Sequence, residues 1–306
     1  MNSRVPLGFV LLCVPLGCSA ETPTGAADVS TELADVSTGD ADAGPATSGS
    51  LNVLTYNVAG LLEGLSKSDP EANHPQISPK LNAYDLVLAQ EDFCYHPLLA
   101  ANVSLPHQSP PEYDPGCAAI DAFGDGLNRF SATPFDAFER GDWETCHGDA
   151  SSCASDCLTN KGFSFARHTL VSGVELDVYN FHLEAGSCPE DLVAKQAQVD
   201  QLIALVSARS GDRAILIGGD SNLHWDRPSH APIYNALLAG LGAEDSCRMV
   251  VCGDEDRIDR FIVRSSQELQ LTVEQWWIPE EFVDSAGEDL SDHVPVAIRL
   301  AWQATR

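Results

Sequence analysis

Basic residues are scarce in this chain. Seventeen Lys+Arg stand against 45 Asp+Glu in 306 residues, a formal net charge of −28. A surface this negative repels polyphosphates at long range, which excludes nucleic-acid binding through a broad basic footprint. It does not exclude phosphate chemistry at a single acidic point, where a divalent metal inverts the local field. Long apolar runs are missing as well: none reaches the roughly 18 to 20 residues that a bilayer-crossing helix needs. Residues 19–50 lack Lys, Arg and aromatics, consist almost entirely of Ala, Thr, Ser, Gly, Asp and Glu, and repeat ADVST at Ala27–Thr31 and Ala34–Thr38. Such a segment cannot bury enough apolar surface to offset its ordering entropy, so a folded core is excluded there and a solvated acidic tether is predicted.

What is present at the N-terminus reads as an export signal. Arg4 is the only charge before residue 21, and Val5–Gly17 is an apolar run of signal-peptide length. The run ends in VPLGCSA, which resembles a bacterial lipoprotein processing site, with Pro15 standing where such sites usually carry Leu. The expectation is a signal over 1–18 with a lipidated Cys18, hence a cell-surface or outer-membrane lipoprotein. Cleavage after Ala20 would instead release a secreted protein. Eight further cysteines, at 94, 117, 146, 153, 157, 188, 247 and 252, form an even set that favours disulfides in an exported chain. Cys247 and Cys252 are expected to close a local loop. Cys146, Cys153 and Cys157 with His147 offer zinc as an alternative, although their spacing is not a CxxC pair.

Residues 51–306 fit one large domain. Short β-branched and aromatic runs recur at Asn52–Tyr56, Asp85–Ala89, Ser164–Val171, Glu175–Leu183, Ala214–Ile217, Arg260–Arg264 and Val294–Trp302. Several alternate apolar and polar residues, the mark of strands with two unlike faces. A helix is predicted from Pro189, with Glu190 and Asp191 at the positive end of its dipole, an apolar face of Leu192, Val199, Leu202, Ile203 and Val206, and a stop at Gly211. The Pro-rich stretches 103–115 and 226–232 read as loops. The picture is an α/β domain of many short strands.

Polar residues gather at the ends of these strands. LNVLTYN ends in Asn57, LVLAQE in Gln90 and Glu91, and DVYNFHLEAG carries Asn180 and His182. AILIGGDSN ends in Asp220, Ser221 and Asn222; DRIDRFIV carries Asp256, Arg257 and Asp259; LSDHVPVAI opens with Ser291, Asp292 and His293. Taken singly, each has a bland reading as a turn or cap residue.

As an ordered set, the upstream Gln-Glu, the Gly-Asp-x-Asn and the terminal Ser-Asp-His resemble the endonuclease/exonuclease/phosphatase superfamily over about residues 51–302. The resemblance implies a four-layer α/β sandwich, two packed mixed β-sheets flanked by helices, with the active site at one edge. It implies a metal-dependent phosphodiesterase acting by in-line attack of water. Glu91 would be the principal ligand of a divalent metal, aided by Asn57 and Asp292. Mg²⁺ suits such oxygen donors, with Mn²⁺ or Ca²⁺ as alternatives. His293 would be general base or electrostatic partner of the phosphate, and Asp259 would orient it. Asp220 would align or deprotonate the water, Asn222 would position it, and His182 would donate to the phosphate or the leaving oxygen, with Asn180 nearby. Asn128 and Lys161 are candidates for facing the substrate, whereas Arg129 reads as structural. The chain departs from the family at Ser221, at Arg260 and at Ser131-Ala132-Thr133-Pro134, none of them a main catalytic position.

The segment Asp156–Leu170, followed by Asp177–Gly186, looks most like the bacterial sphingomyelinase branch. The implied partner is therefore a phosphodiester substrate, a phospholipid in preference to DNA, met at a membrane surface through a lipidated N-terminus; no protein partner is implied. A secreted deoxyribonuclease is the alternative, an inositol-phosphate phosphatase comes third, and a catalytically dead binding module on the same fold is a further class. The pair Trp276-Trp277 suits a membrane interface, or else a strand with one ring buried and one exposed.

Overall fold

The runs with two unlike faces become strands because each face has its own layer to meet. The computed structural model describes residues 47–62, 68–112, 124–148, 157, 159–171, 173–254 and 256–305. The expected signal with Cys18, the tether up to residue 46, Cys117 and Cys153 lie outside the described residues.

One sheet contains β1 (Ser48–Asn57), β2 (Leu86–Gln90), β3 (His107–Gln108), β4 (Asn128–Ser131), β11 (Leu269–Trp277) and β12 (Val296–Ala304), in the order β11-β12-β1-β2-β4-β3. The other contains β5 (Phe135–Asp142), β6 (Gly162–Val171), β7 (Val174–His182), β8 (Ile215–Asp220), β9 (Glu244–Asp245) and β10 (Asp259–Arg264), in the order β5-β6-β7-β8-β10-β9. Each sheet is mixed, with a parallel pair at its centre: β1 with β2, and β7 with β8. The helices are α1 (Pro70–Ile77), α2 (His96–Ala100), α3 (Pro189–Ser210), α4 (Ala231–Leu241) and α5 (Ser246–Val250).

Period-2 alternation sorts the central strands into layers. Leu51 and Val53 of β1 meet Leu176, Val178 and Leu216 between the sheets. Leu54 and Tyr56, one residue out of phase, meet Ile77, Leu81 and Leu99 on the outer side. On the opposite outer face, Phe165, Tyr179 and Ile217 pack on Val199, Leu202 and Val206 of α3 and Tyr234 and Leu237 of α4. The result is the four-layer sandwich that the resemblance implied. Among the described residues, no helix is long and apolar enough to cross a membrane.

All seven expected strands are present, with small shifts at their ends. The predicted helix starts at Pro189 and stops at Gly211 (φ 49°). Three expectations are corrected. Ser48–Ser50, inside the span read as tether, are strand, because their backbone pairs with Ala301–Gln303 of β12. The stretch 103–115 is not all loop, since His107 and Gln108 pair with Phe130 and Ser131 of β4. The stretch 226–232 is loop only to His230, and Pro232 sits in the first turn of α4, where its missing N–H costs nothing.

Trp276 packs toward the inter-sheet core and Trp277 toward the outer layer, on opposite faces of β11, and both are partly buried. Disulfides join Cys146 to Cys157 and Cys247 to Cys252, the second being the expected local loop. Cys94 and Cys188 are disulfide-bonded as well.

Candidate active site

The two parallel pairs decide where the chemistry gathers. The carboxyl ends of β1, β2, β7 and β8 lie at one edge of the sandwich, and antiparallel β10 begins there. In register, His182 faces Asp220 across β7 and β8, and Asp220 faces Asp259 across β8 and β10. Asn57, 163 positions upstream of Asp220, meets it from the other sheet.

Asp220 is the hub, with 1% of its surface exposed. Its Oδ2 lies 3.3 Å from His182 Nε2 and 3.8 Å from His293 Nε2, and accepts from the Asn57 side-chain nitrogen at 3.2 Å. Its Oδ1 accepts the Asn222 backbone N–H at 2.9 Å. Burial by itself would raise this carboxyl. The neighbouring His182 and His293 imidazoles, the His182 hydrogen bond and the Lys161 ammonium outweigh burial and hold it well below the usual carboxylate range. His293 Nδ1 stands 2.9 Å from Asp259 Oδ2. Burial opposes its protonation, but the Asp259 and Asp220 charges prevail and push the imidazole up to about 10. His293 is therefore a cation bridging two carboxylates. Burial pushes the Asp259 carboxyl up, and the imidazolium counters only part of that.

Glu91 sits at the mouth of this cluster. Its side chain is 19% exposed, and its Oε1 accepts from Asn57 Nδ2 at 3.0 Å and lies 4.0 Å from His182 Nε2. Its backbone is left-handed (φ 54°), uncommon for a residue other than glycine. The conformation is clamped: Gly60 N–H donates to Glu91 O, and Asp92 N–H donates to Gly126 O. A Cβ on Gly60 would come within 2.3 Å of Glu91 O, and one on Gly126 (φ 66°) within 3.0 Å of Glu91 Cα. Both glycines are required by the close approach of the Glu91 turn.

Glu91 and Asp220 thus converge on one amide nitrogen, and Nδ1 of buried His182 and Oδ1 of Asp259 lack hydrogen-bond partners. The ligand atoms of Asp220, Asp259 and His293 also lie within 4.8 Å of one another. Hard oxygen donors with residual negative charge and unmet polar atoms fit a divalent cation, which would attach on the Glu91 side because His293 already bridges Asp220 and Asp259.

Other members of the predicted set take different places. Asn222 (φ 49°) reaches Leu183 O with its amide at 3.1 Å, and Lys161 Nζ donates to Leu183 O at 3.4 Å. Asp292 is exposed beside His293. Asn180 and Asn128 lie one layer deeper. The Asn180 amide spans the two sheets, donating to Ala89 O and Asn128 O and accepting from Gln90 Nε2 at 2.7 Å. Asn128 donates to Asp92 and accepts from Arg140 at 2.7 Å. Both amides are spent on holding the strand ends in place. Arg129 is structural, as read: it is fully buried and donates to Ser164 and Val178 carbonyls.

Two contributors escaped the sequence reading. Trp143 Nε1 donates to His182 O at 2.6 Å, fixing the end of β7. Lys195, fully buried in α3, donates to Asn222 O at 2.9 Å and Gly186 O at 2.6 Å. Its signal was available, since position 195 falls on the same helical face as Leu192, Val199 and Leu202.

The turn after Asn222 is held by His230, whose Nδ1 accepts the His224 backbone N–H at 3.1 Å. Burial, then the Lys195, His224 and Arg227 charges, lower His230 to about 4 from an ordinary 6.5. A depressed imidazole stabilises the fold above pH 6.5 and loses that contribution as pH falls toward 4. The melting-temperature difference between the wild type and His230→Gln should be largest above pH 7 and shrink by pH 4. A difference that does not vary with pH would contradict this.

Comparison with known proteins bears on the family and the fold. The chain is 32% identical over 273 residues to sphingomyelinases of Mycobacterium bovis and Mycobacterium tuberculosis, a match covering 84% of this chain and 54% of theirs. It therefore spans about half the length of the curated relatives it matches. Sphingomyelinase C from Streptomyces griseocarneus shares the fold with a TM-score of 0.59 and 22% identity, over 82% of this chain and 99% of that one. So does a Staphylococcus aureus beta toxin mutant with bound magnesium ions, at TM-score 0.59 and 17% identity over 82% of this chain and 99% of that one. No family model matches the sequence.

Proposed function

This chain belongs to the endonuclease/exonuclease/phosphatase superfamily, and from that membership we propose that it is a divalent-metal-dependent phosphodiesterase cleaving a phospholipid headgroup. The observation that carries the reaction class is the convergence of His182, His293, Glu91 and Asn57 on buried Asp220. Support for a lipid comes from the likeness to sphingomyelinases and from the shortage of cations to grip a long polyanion.

Asp220 accepts a hydrogen bond from the attacking water, steadied by the Asn222 N–H on its other oxygen. His293, cationic at neutral pH and oriented by Asp259, offsets charge at the phosphate, which favours its electrostatic role over that of initial base. His182, with Nε2 beside Asp220 at the catalytic edge, donates to a phosphoryl or leaving oxygen. Glu91 and Asn57 would hold the metal, for which Mg²⁺ suits the donor set; when bound, it supplies Lewis-acid charge to the phosphoryl oxygens. In balance, water adds to phosphorus, the bond from phosphorus to the lipid alcohol oxygen breaks, and the water's proton ends on that alcohol. The proposal includes export, read from Val5–Gly17, with lipidation of Cys18 as the route to a membrane surface.

Sphingomyelin vesicles and plasmid DNA, assayed side by side in Mg²⁺, test this reading. Release of phosphocholine well ahead of any DNA nicking is expected. Faster nicking would favour the nuclease alternative. No turnover of either substrate or of bis-p-nitrophenyl phosphate would favour a binding module.

A further inference from the structure

We infer that His74 is a positioning residue for the metal centre: its buried ring ties together the two loops that carry Asn57 and Glu91. The inference rests on the metal-dependence reading above and deepens it.

His74 lies on α1, outside the motifs that marked the site, and none of its surface is exposed. Asp69 caps that helix by accepting the Ala72 N–H at 3.1 Å, and Pro70 sits in the first turn, where an N–H is not needed. His74 Nε2 lies 3.1 Å from Val58 O, one residue past Asn57. Its Nδ1 lies 3.4 Å from Tyr95 O, four residues past Glu91. The ring also fits against Gly60, where an added Cβ would stand 3.0 Å from His74 Cε1. One side chain therefore meets both segments while belonging to neither.

The two carbonyls are not equal claimants on the ring. Burial lowers the imidazole from its ordinary range, so it is neutral and has one N–H to give. Tyr95 O already accepts from the N–H groups of Leu98 at 2.9 Å and Leu99 at 3.2 Å. Val58 O is the nearer acceptor, and the proton belongs on Nε2.

Holding Val58 O fixes a turn whose own N–H groups do the next work. Val58 N–H donates to Gln90 O at 2.9 Å and Gly60 N–H to Glu91 O at 3.0 Å, while Ala59 N–H donates to Asn57 Oδ1 at 3.1 Å. These bonds set the left-handed backbone of Glu91 and the direction of the Asn57 amide, which meets Glu91 Oε1 at 3.0 Å. An apolar side chain at position 74 would leave Val58 O, in a buried residue, without that donor. The Asn57–Glu91 pair would then be held less firmly, and Mg²⁺ demands near-ideal geometry of its oxygen ligands.

Calorimetric titration of Mg²⁺ into the metal-free protein reads this without turnover. His74→Leu should weaken Mg²⁺ binding about tenfold or more. His74→Gln, whose amide nitrogen reaches about as far as Nε2, should stay within about threefold of wild type. Ile77→Val, a buried change on the same helix, should lower the melting temperature and leave Mg²⁺ affinity unaltered, which separates positioning from general loosening. In turnover, raising Mg²⁺ should restore the activity of His74→Leu, with KM for bis-p-nitrophenyl phosphate unchanged. Where circular dichroism shows His74→Leu unfolded, His74→Asn takes its place, because the shorter amide does not reach Val58 O. Mg²⁺ affinity within about twofold of wild type in the folded Leu or Asn variant, or equal weakening in His74→Gln, overturns the inference. A wild type that binds no Mg²⁺ and keeps full activity in EDTA shows instead that the metal reading has failed, and the inference falls with it.

Discussion

Alanine at His293 is expected to lower kcat on a phosphodiester by about 10²- to 10³-fold, the range for loss of one group that stabilises transition-state charge. The loss has two physical parts. The substitution removes the cation that faces the phosphate, and it leaves the buried carboxylates Asp220 and Asp259 without the imidazolium between them. The second part makes a drop in thermal stability a companion expectation, so His293→Gln, which keeps polar contacts, serves as the control for folding. Asp259→Asn should lower kcat by a smaller factor with little change in KM, because Asp259 acts through the orientation of His293. Turnover of His293→Ala within a few-fold of wild type, in a folded protein, would show that the Asp220 cluster is not the catalytic centre.

Removal of divalent metal should be comparably severe. A metal supplies several kcal/mol of transition-state charge stabilisation, and each roughly 1.4 kcal/mol is tenfold in rate. EDTA should therefore reduce activity by about 10³-fold or more, with recovery in excess Mg²⁺ or Mn²⁺. Glu91→Gln keeps the size of the side chain and its contact with Asn57 but removes the charge. It should raise the metal concentration needed for half-activation by at least about tenfold. Direct calorimetric titration of Mg²⁺ should report the same weakening without reference to turnover. Full activity in EDTA, or Mg²⁺ binding unaltered in Glu91→Gln, would remove Glu91 from the metal site.

Much of this site was legible because parallel strands end abruptly. Apolar runs such as Ile215–Ile217 must stop where the sandwich edge meets water, and the polar residues that follow at Asp220 and Asn222 share that edge with Asn57, Glu91 and His182. What was not legible is depth. Asn180 alternates onto the inter-sheet side of β7, beneath the site, and only the packing of the second sheet shows that its amide is already spent. β5 went unread because it is a half-exposed edge strand whose charged residues, Asp136, Glu139 and Arg140, blur the alternation. Lys195 was overlooked because a lysine on an apolar helical face is ordinarily solvated, whereas here two backbone carbonyls take the place of water.

The direction of β1 has a practical consequence. The strand runs from Ser48 to Asn57, about 30 Å at roughly 3.3 Å per residue, and only its last residue belongs to the catalytic edge. Thr47 and Ala304 are hydrogen-bonded to each other at the opposite pole, so both ends of the folded domain leave from there. A handle attached at either end, whether an affinity tag, a bead or a surface, would leave the catalytic rim facing outward, like a lamp on a bracket.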